Sequence, residues 1–378
     1  MRYLSAHYVF PVSSPPLRWG IVCVNGEGCI VDVIDTGGKP EERGKLEFYN
    51  GILVPGFVNA HCHLELSHLR NAIERHCGLS DFISSIGRAR KTDSSETVIP
   101  AAKTADEEMK RNGIVAVGDI SNNMYTLEIK RNSRIWYHTF IELFGLDGNR
   151  AQEITAKAQL AKQEFFLAGM SVSVAPHAIY SISPALWDEL HKSYSSMPPQ
   201  VISIHHQESS GEKADHIPAG YQMARCLGQA SRCLLVHNTF SLKDDLFGYA
   251  SDPGRFYFVL CPRSNMFIQD RLPDLQVFSL PEFSRNVCLG TDSLASNTSL
   301  SILEEMKTIH QHAPEIPLDT LVRWATLNGA SALGKDGFGS FEKGMIPGVN
   351  LITGIDFDRM QLTAKSAVQP LVGGMPKM

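Results

Sequence analysis

Eight short apolar runs, most of them followed by a stretch of helical period, constrain this chain more than any other feature. The runs occupy 56–63, 114–119, 135–143, 170–176, 201–206, 233–237, 256–261 and 286–292. Good helix formers, with apolar residues three and four apart, fill 96–112, 152–168, 183–196, 214–230, 300–312 and 318–333. A strand followed by a crossover helix returns parallel to itself. Eight such units predict a TIM-like (β/α)8 barrel of the α/β class over 54–335. An open doubly wound sheet also alternates, but it normally has fewer strands and often a glycine-rich phosphate loop after the first. No such loop follows His63.

The flanks read differently. Short alternating strands at 5–12 and 19–25, broken by glycine-rich turns, and β-like stretches at 350–353 and 366–372 predict a small β-sandwich-like domain formed from both termini, 1–53 and 336–378. With 378 residues and a hydrophobic fraction of 43%, the chain can bury a sizeable core. A net charge of −5 from interspersed residues of both signs leaves no electrostatic footprint for nucleic acid or an anionic membrane. A small-molecule partner is expected, with homo-oligomerisation left open. No apolar run approaches a membrane span and the first residues lack a signal-peptide core, which predicts a cytoplasmic protein. The eight cysteines, Cys23, Cys29, Cys62, Cys77, Cys226, Cys233, Cys261 and Cys288, include no Cys-x-x-Cys pair, which argues against a thiolate zinc site or a disulfide framework.

Chemistry is suggested by what the runs end in. His61 and His63 are two apart, so a strand sends both imidazoles to one face and Cys62 to the other. The fifth run ends in His205-His206-Gln207-Glu208, the sixth in His237 and the eighth in Gly290-Thr291-Asp292. In a parallel barrel these ends share one mouth, where ionisable groups gather only if they are paired or coordinate something. Imidazoles with a carboxylate suit one divalent metal ion, zinc first and ferrous iron second, with a position open for water. The stretch 171–176 offers no lysine for a carbamate bridge to a second ion. Either His205 or His206 fits as the ligand from the fifth run. Glu208 lies near enough to exchange protons with a bound water, and His237 could orient that water or stabilise developing negative charge.

In order and spacing, Pro55-Gly56-Phe57-Val58-Asn59-Ala60-His61-Cys62-His63, His205-His206-Gln207-Glu208, Leu235-Val236-His237-Asn238 and Gly290-Thr291-Asp292-Ser293 resemble the amidohydrolase superfamily. Ser299-Leu300 and Ala325-Thr326-Leu327-Asn328-Gly329-Ala330 point to its deaminase and chlorohydrolase branch. By that resemblance His61, His63, His205 and Asp292 hold one zinc or iron ion, the family's His-x-x-Glu spacing choosing His205 over His206. It further implies that Glu208 shuttles protons, that His237 polarises the nucleophile, that Asp292 also takes a proton from it, and that His177 contacts substrate. Glu65, Ser67, Ser121-Asn122, Glu142 and the stretch 261–265 further resemble the aminodeoxyfutalosine deaminases, which would put Glu65, Ser67, Glu142, Ser264 and Asn265 around the barrel mouth, beside the substrate. The chain departs from its relatives in Cys62, where threonine is common, in Val349-Asn350, where Ala-Asp is usual, and in a short C-terminal module.

The expectation is a hydrolytic deaminase of an amino-substituted heterocycle, an adenine-type nucleoside such as aminodeoxyfutalosine, that releases ammonia. A chlorohydrolase or an amide-hydrolysing relative would use the same ligands. A non-catalytic barrel would be free to lose them, and all are present here.

Overall fold

The computed structural model describes residues 1–41, 44–213, 227–250, 252 and 254–374. Two four-stranded parallel sheets form its centre. One contains Phe57–Cys62, Ile114–Ser121, Trp136–Leu143 and Ser171–Pro176, and the other Val201–His206, Arg232–His237, Phe256–Leu260 and Val287–Leu289, each in chain order. Their edges meet through isolated parallel bridges, Cys62 with Asp292 and Ala178 with His205. Backbone hydrogen bonds reinforce both seams, from His205 N–H to His177 O at 2.8 Å and from Thr291 N–H to His61 O at 3.0 Å. One buried cluster draws residues from all eight strands, among them Val58, Ala60, Phe140, Val201, Leu234 and Cys288. A larger one packs the strands against helices through Phe165, Trp187, Phe258 and Trp324.

Helices expected at 96–112, 152–168, 183–196 and 300–312 are found as Ser95–Arg111, Ala151–Leu167, Pro184–Ser196 and Ile302–His312. Three of them begin after a serine cap, Ser94, Ser183 and Ser301, with the Ser183 hydroxyl accepting from Leu186 N–H and that of Ser301 from Glu304 N–H. The single helix expected over 318–333 is instead two, Leu318–Ala325 and Leu327–Ala332. They break at Thr326, whose hydroxyl bonds back to Val322 O at 2.6 Å. Up to residue 226, the helix expected at 214–230 lies outside the described residues, as does Cys226. Two helices that periodicity did not flag, Gly78–Ala89 and Pro262–Gln269, both bear on the site below. No helix among the described residues is long and apolar enough to cross a membrane.

The termini build one seven-stranded mixed sheet. Its order is Gln361–Val372, Val349–Asp356, Leu46–Pro55, Arg2–Val9, Ile21–Val24 and Ile30–Ile34, with Leu17–Arg18 added beside Arg2–Val9. Arg2–Val9 and Leu46–Pro55 run parallel, and the other pairs are antiparallel. Leu46–Pro55 passes through Gly56 directly into the first central strand. A Cβ there would lie 2.4 Å from Val115 Cγ1 and 2.5 Å from Pro347 O, so the crossing requires glycine. Asn350 donates from Nδ2 to Gly113 O at 2.8 Å and ties the terminal sheet to the start of the second central strand. The departure from Ala-Asp thus acts at this junction, away from the strand ends that carry the histidines.

Candidate active site

At the carboxyl ends of the central strands the expected ligands converge. His61 Nε2 lies 3.2 Å from His63 Nε2. Asp292 Oδ1 lies 3.5 Å from His63 Nε2 and 3.8 Å from His61 Nε2. Two groups share His61: one with His63 and Asp292, the other with His205 and His237, the ligand atoms of each lying within 4.8 Å of one another. His206 turns away, its Nδ1 on Asn238 Oδ1 at 3.0 Å and its Nε2 3.3 Å from the Tyr249 hydroxyl. Glu208 Oε1 faces His237 Nε2 at 3.6 Å.

Simple alternation would not have produced this. Val58 and Ala60 belong to the cluster shared by all eight strands, so a regular strand would send His61 to the opposite face. A register irregularity between Asn59 and Cys62 changes the phase, and Cys62 packs among the outer residues while both histidines turn to the site. His237 is out of phase with Leu234 and Val236 in the same way, and its backbone at φ +76° turns it back. The eighth strand stops at Leu289, three residues short of its apolar run, and Asp292 lies beyond it with φ +56°. Gly290 makes room for the first histidine, since a Cβ there would lie 2.9 Å from His61 Cβ and 3.0 Å from Cys261 Sγ.

Burial, helped by neighbouring imidazoles, holds His61 and His205 well below the ordinary imidazole range, so both are neutral. Burial also works against charge on Asp292, but His63, His237 and the hydroxyls of Ser264 and Ser296 outweigh it and keep this carboxyl below its usual value. Neutral imidazoles and an ionised carboxylate are the forms that bind metal. So dense a buried convergence of imidazole nitrogens and a carboxylate oxygen is costly unless a cation balances it. The donor set fits a divalent ion such as zinc. Burial raises Glu208 above the usual carboxyl value against the pull of His237, a direction that suits a group that both takes and gives a proton. Burial opposes charge on His177 too, yet Glu142 Oε1, 2.6 Å from its Nδ1, raises it above the ordinary range.

Behind these groups lies a layer that periodicity alone did not reveal. Ser264 and Ser296 both donate to Asp292 Oδ2, at 2.6 and 2.8 Å, which leaves Oδ1 facing the histidines. Asn265 Oδ1 lies 2.9 Å from His237 Nδ1. Ser264 and Asn265 were expected beside the substrate; on the first turn of Pro262–Gln269 they are instead buried behind the ligands and do not line the cavity. Glu65 is likewise withdrawn, its carboxylate 3.0 Å from the Arg90 guanidinium and accepting Asn122 N–H at 2.9 Å. Of the expected substrate contacts, His177 and Glu142 line the cavity, and Glu65, Ser67, Ser264 and Asn265 do not.

That cavity has a volume of 280 Å³. Its polar side is His63, His177, His205, Glu208, His237 and Asp292; its apolar side is Leu66, Leu79, Phe82, Ile86 and Phe144, much of it from the helix Gly78–Ala89. A neighbouring cavity of 620 Å³ shares Arg90, Asn122, Glu142 and Phe144 with it.

Parallel α/β architecture with imidazoles and a carboxylate gathered at the strand ends defines the metal-site hydrolases as a class. The chain belongs to the amidohydrolase family, whose model matches residues 52–369, and it is a hydrolytic enzyme of that family. It is 26% identical over 376 residues to a 5-methylthioadenosine/S-adenosylhomocysteine deaminase of Saccharophagus degradans, a match covering 90% of this chain and 80% of the relative. Its fold is similar to that of the Helicobacter pylori aminofutalosine deaminase in complex with methylthio-coformycin, with a TM-score of 0.78, 22% identity and 99% of both chains covered. It is also similar to that of a Xanthomonas campestris adenosine deaminase with bound zinc, with a TM-score of 0.76, 22% identity, and 100% of this chain and 94% of the other covered.

Proposed function

We propose that this chain is a deaminase of adenosine-like nucleosides that replaces the ring amine by oxygen and releases ammonia. The observation that carries the reading is Glu208 facing His237 at 3.6 Å, beside the His61, His63 and Asp292 cluster and on the wall of a largely apolar cavity. In this reading the eight strands close into one (β/α)8 barrel over 54–335, and the segments 1–53 and 336–378 form a small β domain, built as one mixed sheet and not as the two packed sheets of a sandwich.

His61, His63, His205 and Asp292 would hold one divalent ion, zinc by the donor set and by the zinc in the Xanthomonas relative, with ferrous iron the alternative. When bound, such an ion lowers the pKa of a coordinated water to about 7. Glu208 takes one proton from the attacking water and passes it to the ring nitrogen; the second, taken by Asp292 from the new hydroxyl, goes to the departing amine. Water oxygen forms the new bond to the ring carbon, the bond to the exocyclic nitrogen breaks, and ammonia leaves. His237, with Nδ1 on Asn265, presents Nε2 to the water and stabilises its developing charge. The apolar wall packs against the base and keeps bulk water from it.

The 280 Å³ cavity suits the base and sugar, and the 620 Å³ cavity beside it, which shares four lining residues, favours a nucleoside with an extended 5′ group, aminodeoxyfutalosine being the first to test. Zinc-loaded protein should convert an adenine-like to a hypoxanthine-like spectrum with one ammonia per turnover, fastest for 5′-extended nucleosides. Faster turnover of cytosine, guanine or a chlorinated ring than of every adenine nucleoside would sink the substrate assignment.

A further inference from the structure

The proposed chemistry leaves one buried ion pair unused. Lys130, on the short helix Leu127–Asn132, and Asp119, on the strand Ile114–Ser121, have fully buried side chains with Nζ and Oδ2 2.5 Å apart. Lys130 Nζ also donates to Ser121 Oγ at 2.8 Å and Thr139 Oγ1 at 3.2 Å, so the ammonium is held by two hydroxyls besides its ion pair. The rings of Tyr137 and Phe165 flank it at 5.9 and 5.2 Å. A buried pair of this kind is often no more stable than an apolar pair of similar volume, so its presence calls for another account.

The second oxygen of Asp119 supplies one. The first strand ends at Cys62, and at His63 the chain turns into the short helix Leu64–Leu69. Beyond the strand, Leu64 N–H has no ladder to join, and it donates to Asp119 Oδ1 at 2.7 Å. A buried amide without that acceptor would be left unsatisfied. A carboxylate whose other oxygen is locked by Lys130 cannot swing away from it.

We propose that Asp119, held by Lys130, is a positioning residue for the metal-binding turn. It pins the backbone at Leu64 so that His63 Nε2 stays 3.2 Å from His61 Nε2 and 3.5 Å from Asp292 Oδ1. The inference rests on the metal-site reading above. Outer partners of this kind commonly tune metal affinity as strongly as they tune activity.

Two double variants separate the anchor from the charges. D119N/K130M removes both charges but keeps a carbonyl to accept from Leu64, whereas D119L/K130M removes both charges and the acceptor. Zinc affinity is measured by competition with a chromophoric chelator, and folding by circular dichroism and thermal melting. The first variant, which keeps the acceptor but loses the lock, should bind zinc less tightly than the wild type but more tightly than the second, which should fold but bind it about 10–100-fold more weakly. L64P deletes the donor instead, at a first helical position where proline is tolerated, and should weaken zinc by a similar factor. It carries the comparison if D119L/K130M does not fold. Unchanged zinc affinity in the folded acceptor-free or donor-free variant overturns the proposal. Wild-type protein that binds no zinc at all would overturn the metal-site reading, and this proposal with it.

Discussion

The mouth formed by the central strand ends and the sheet formed by the termini treat polar groups and backbone strain in opposite ways. At the mouth, His61, His205, Glu208, His237 and Asp292 are all buried. Positive φ there falls on site residues or their neighbours: Gln207, His237, Asn238 and Asp292. In the terminal sheet, the residues other than glycine with positive φ are Val12, Trp19, Lys45 and Met360, all in turns between strands. Its ion pair, Arg2 with Glu47 at 2.7 Å, is exposed to 41% and 37%. Left-handed backbone at residues other than glycine is tolerated at the mouth where it aims a group at the site, and in the terminal sheet it is confined to turns.

The largest expected effect breaks the comparison at its centre. Glu208→Gln keeps the side chain's shape but cannot carry a proton, so kcat should fall by about 10²–10⁴-fold with zinc content and melting temperature unchanged. Turnover near the wild-type rate would remove Glu208 from the chemistry. Next, Gly290→Ala should cost about 1–3 kcal/mol in thermal or urea unfolding because its Cβ meets His61 and Cys261. Gly26→Ala in the terminal sheet, where a Cβ meets nothing within 4 Å, should stay within about 0.5 kcal/mol of wild type. Equal costs at the two positions would erase the contrast.

Ser264→Ala, which removes one of the two hydroxyls on Asp292 Oδ2, should weaken zinc binding or turnover about tenfold, read by chelator competition alongside kinetics. The smallest effect belongs to the terminal sheet. Hydrogen bonds from Arg2 and Tyr49 hold Glu47 down to about 2 from its ordinary 4.5. A lowered native value stabilises the fold above the unfolded value, and that contribution disappears as pH falls toward 2. With both side chains more than a third exposed, solvent screening limits it to under about 0.5 kcal/mol. Glu47→Gln should therefore be slightly less stable at pH 7, with the difference closing between pH 5 and 2 in urea titrations. A difference that grows on acidification would contradict this assignment.

Local chemistry explains what was legible beforehand. Alternating apolar runs and helical period placed the strands and most helices, because burying one face leaves a short-range pattern. The spacing of His61 and His63 put both on one face, and Glu208 lies three residues past His205 on the same chain segment. Asp119 was within reach of the same reasoning, as one more ionisable residue near the end of an apolar run. Its partner Lys130 was not, since nothing local distinguishes a buried lysine on a six-residue helix from a solvated one.

By itself, then, the sequence determined the alternation of strand and helix and the kinds of group gathered at the strand ends. Tertiary structure alone decided which way those groups point. The irregularity after Asn59 and the positive φ at His237 reverse the phase of their strands, and both depend on pairing with neighbours and on space left by residues such as Gly290. Tertiary structure also turned Ser264 and Asn265 from expected substrate contacts into supports for Asp292 and His237, each 28 residues away in the chain. The physical reason is range: periodicity and spacing record what a residue does to its near neighbours, whereas the aim of a buried polar side chain is set by partners that folding brings from elsewhere.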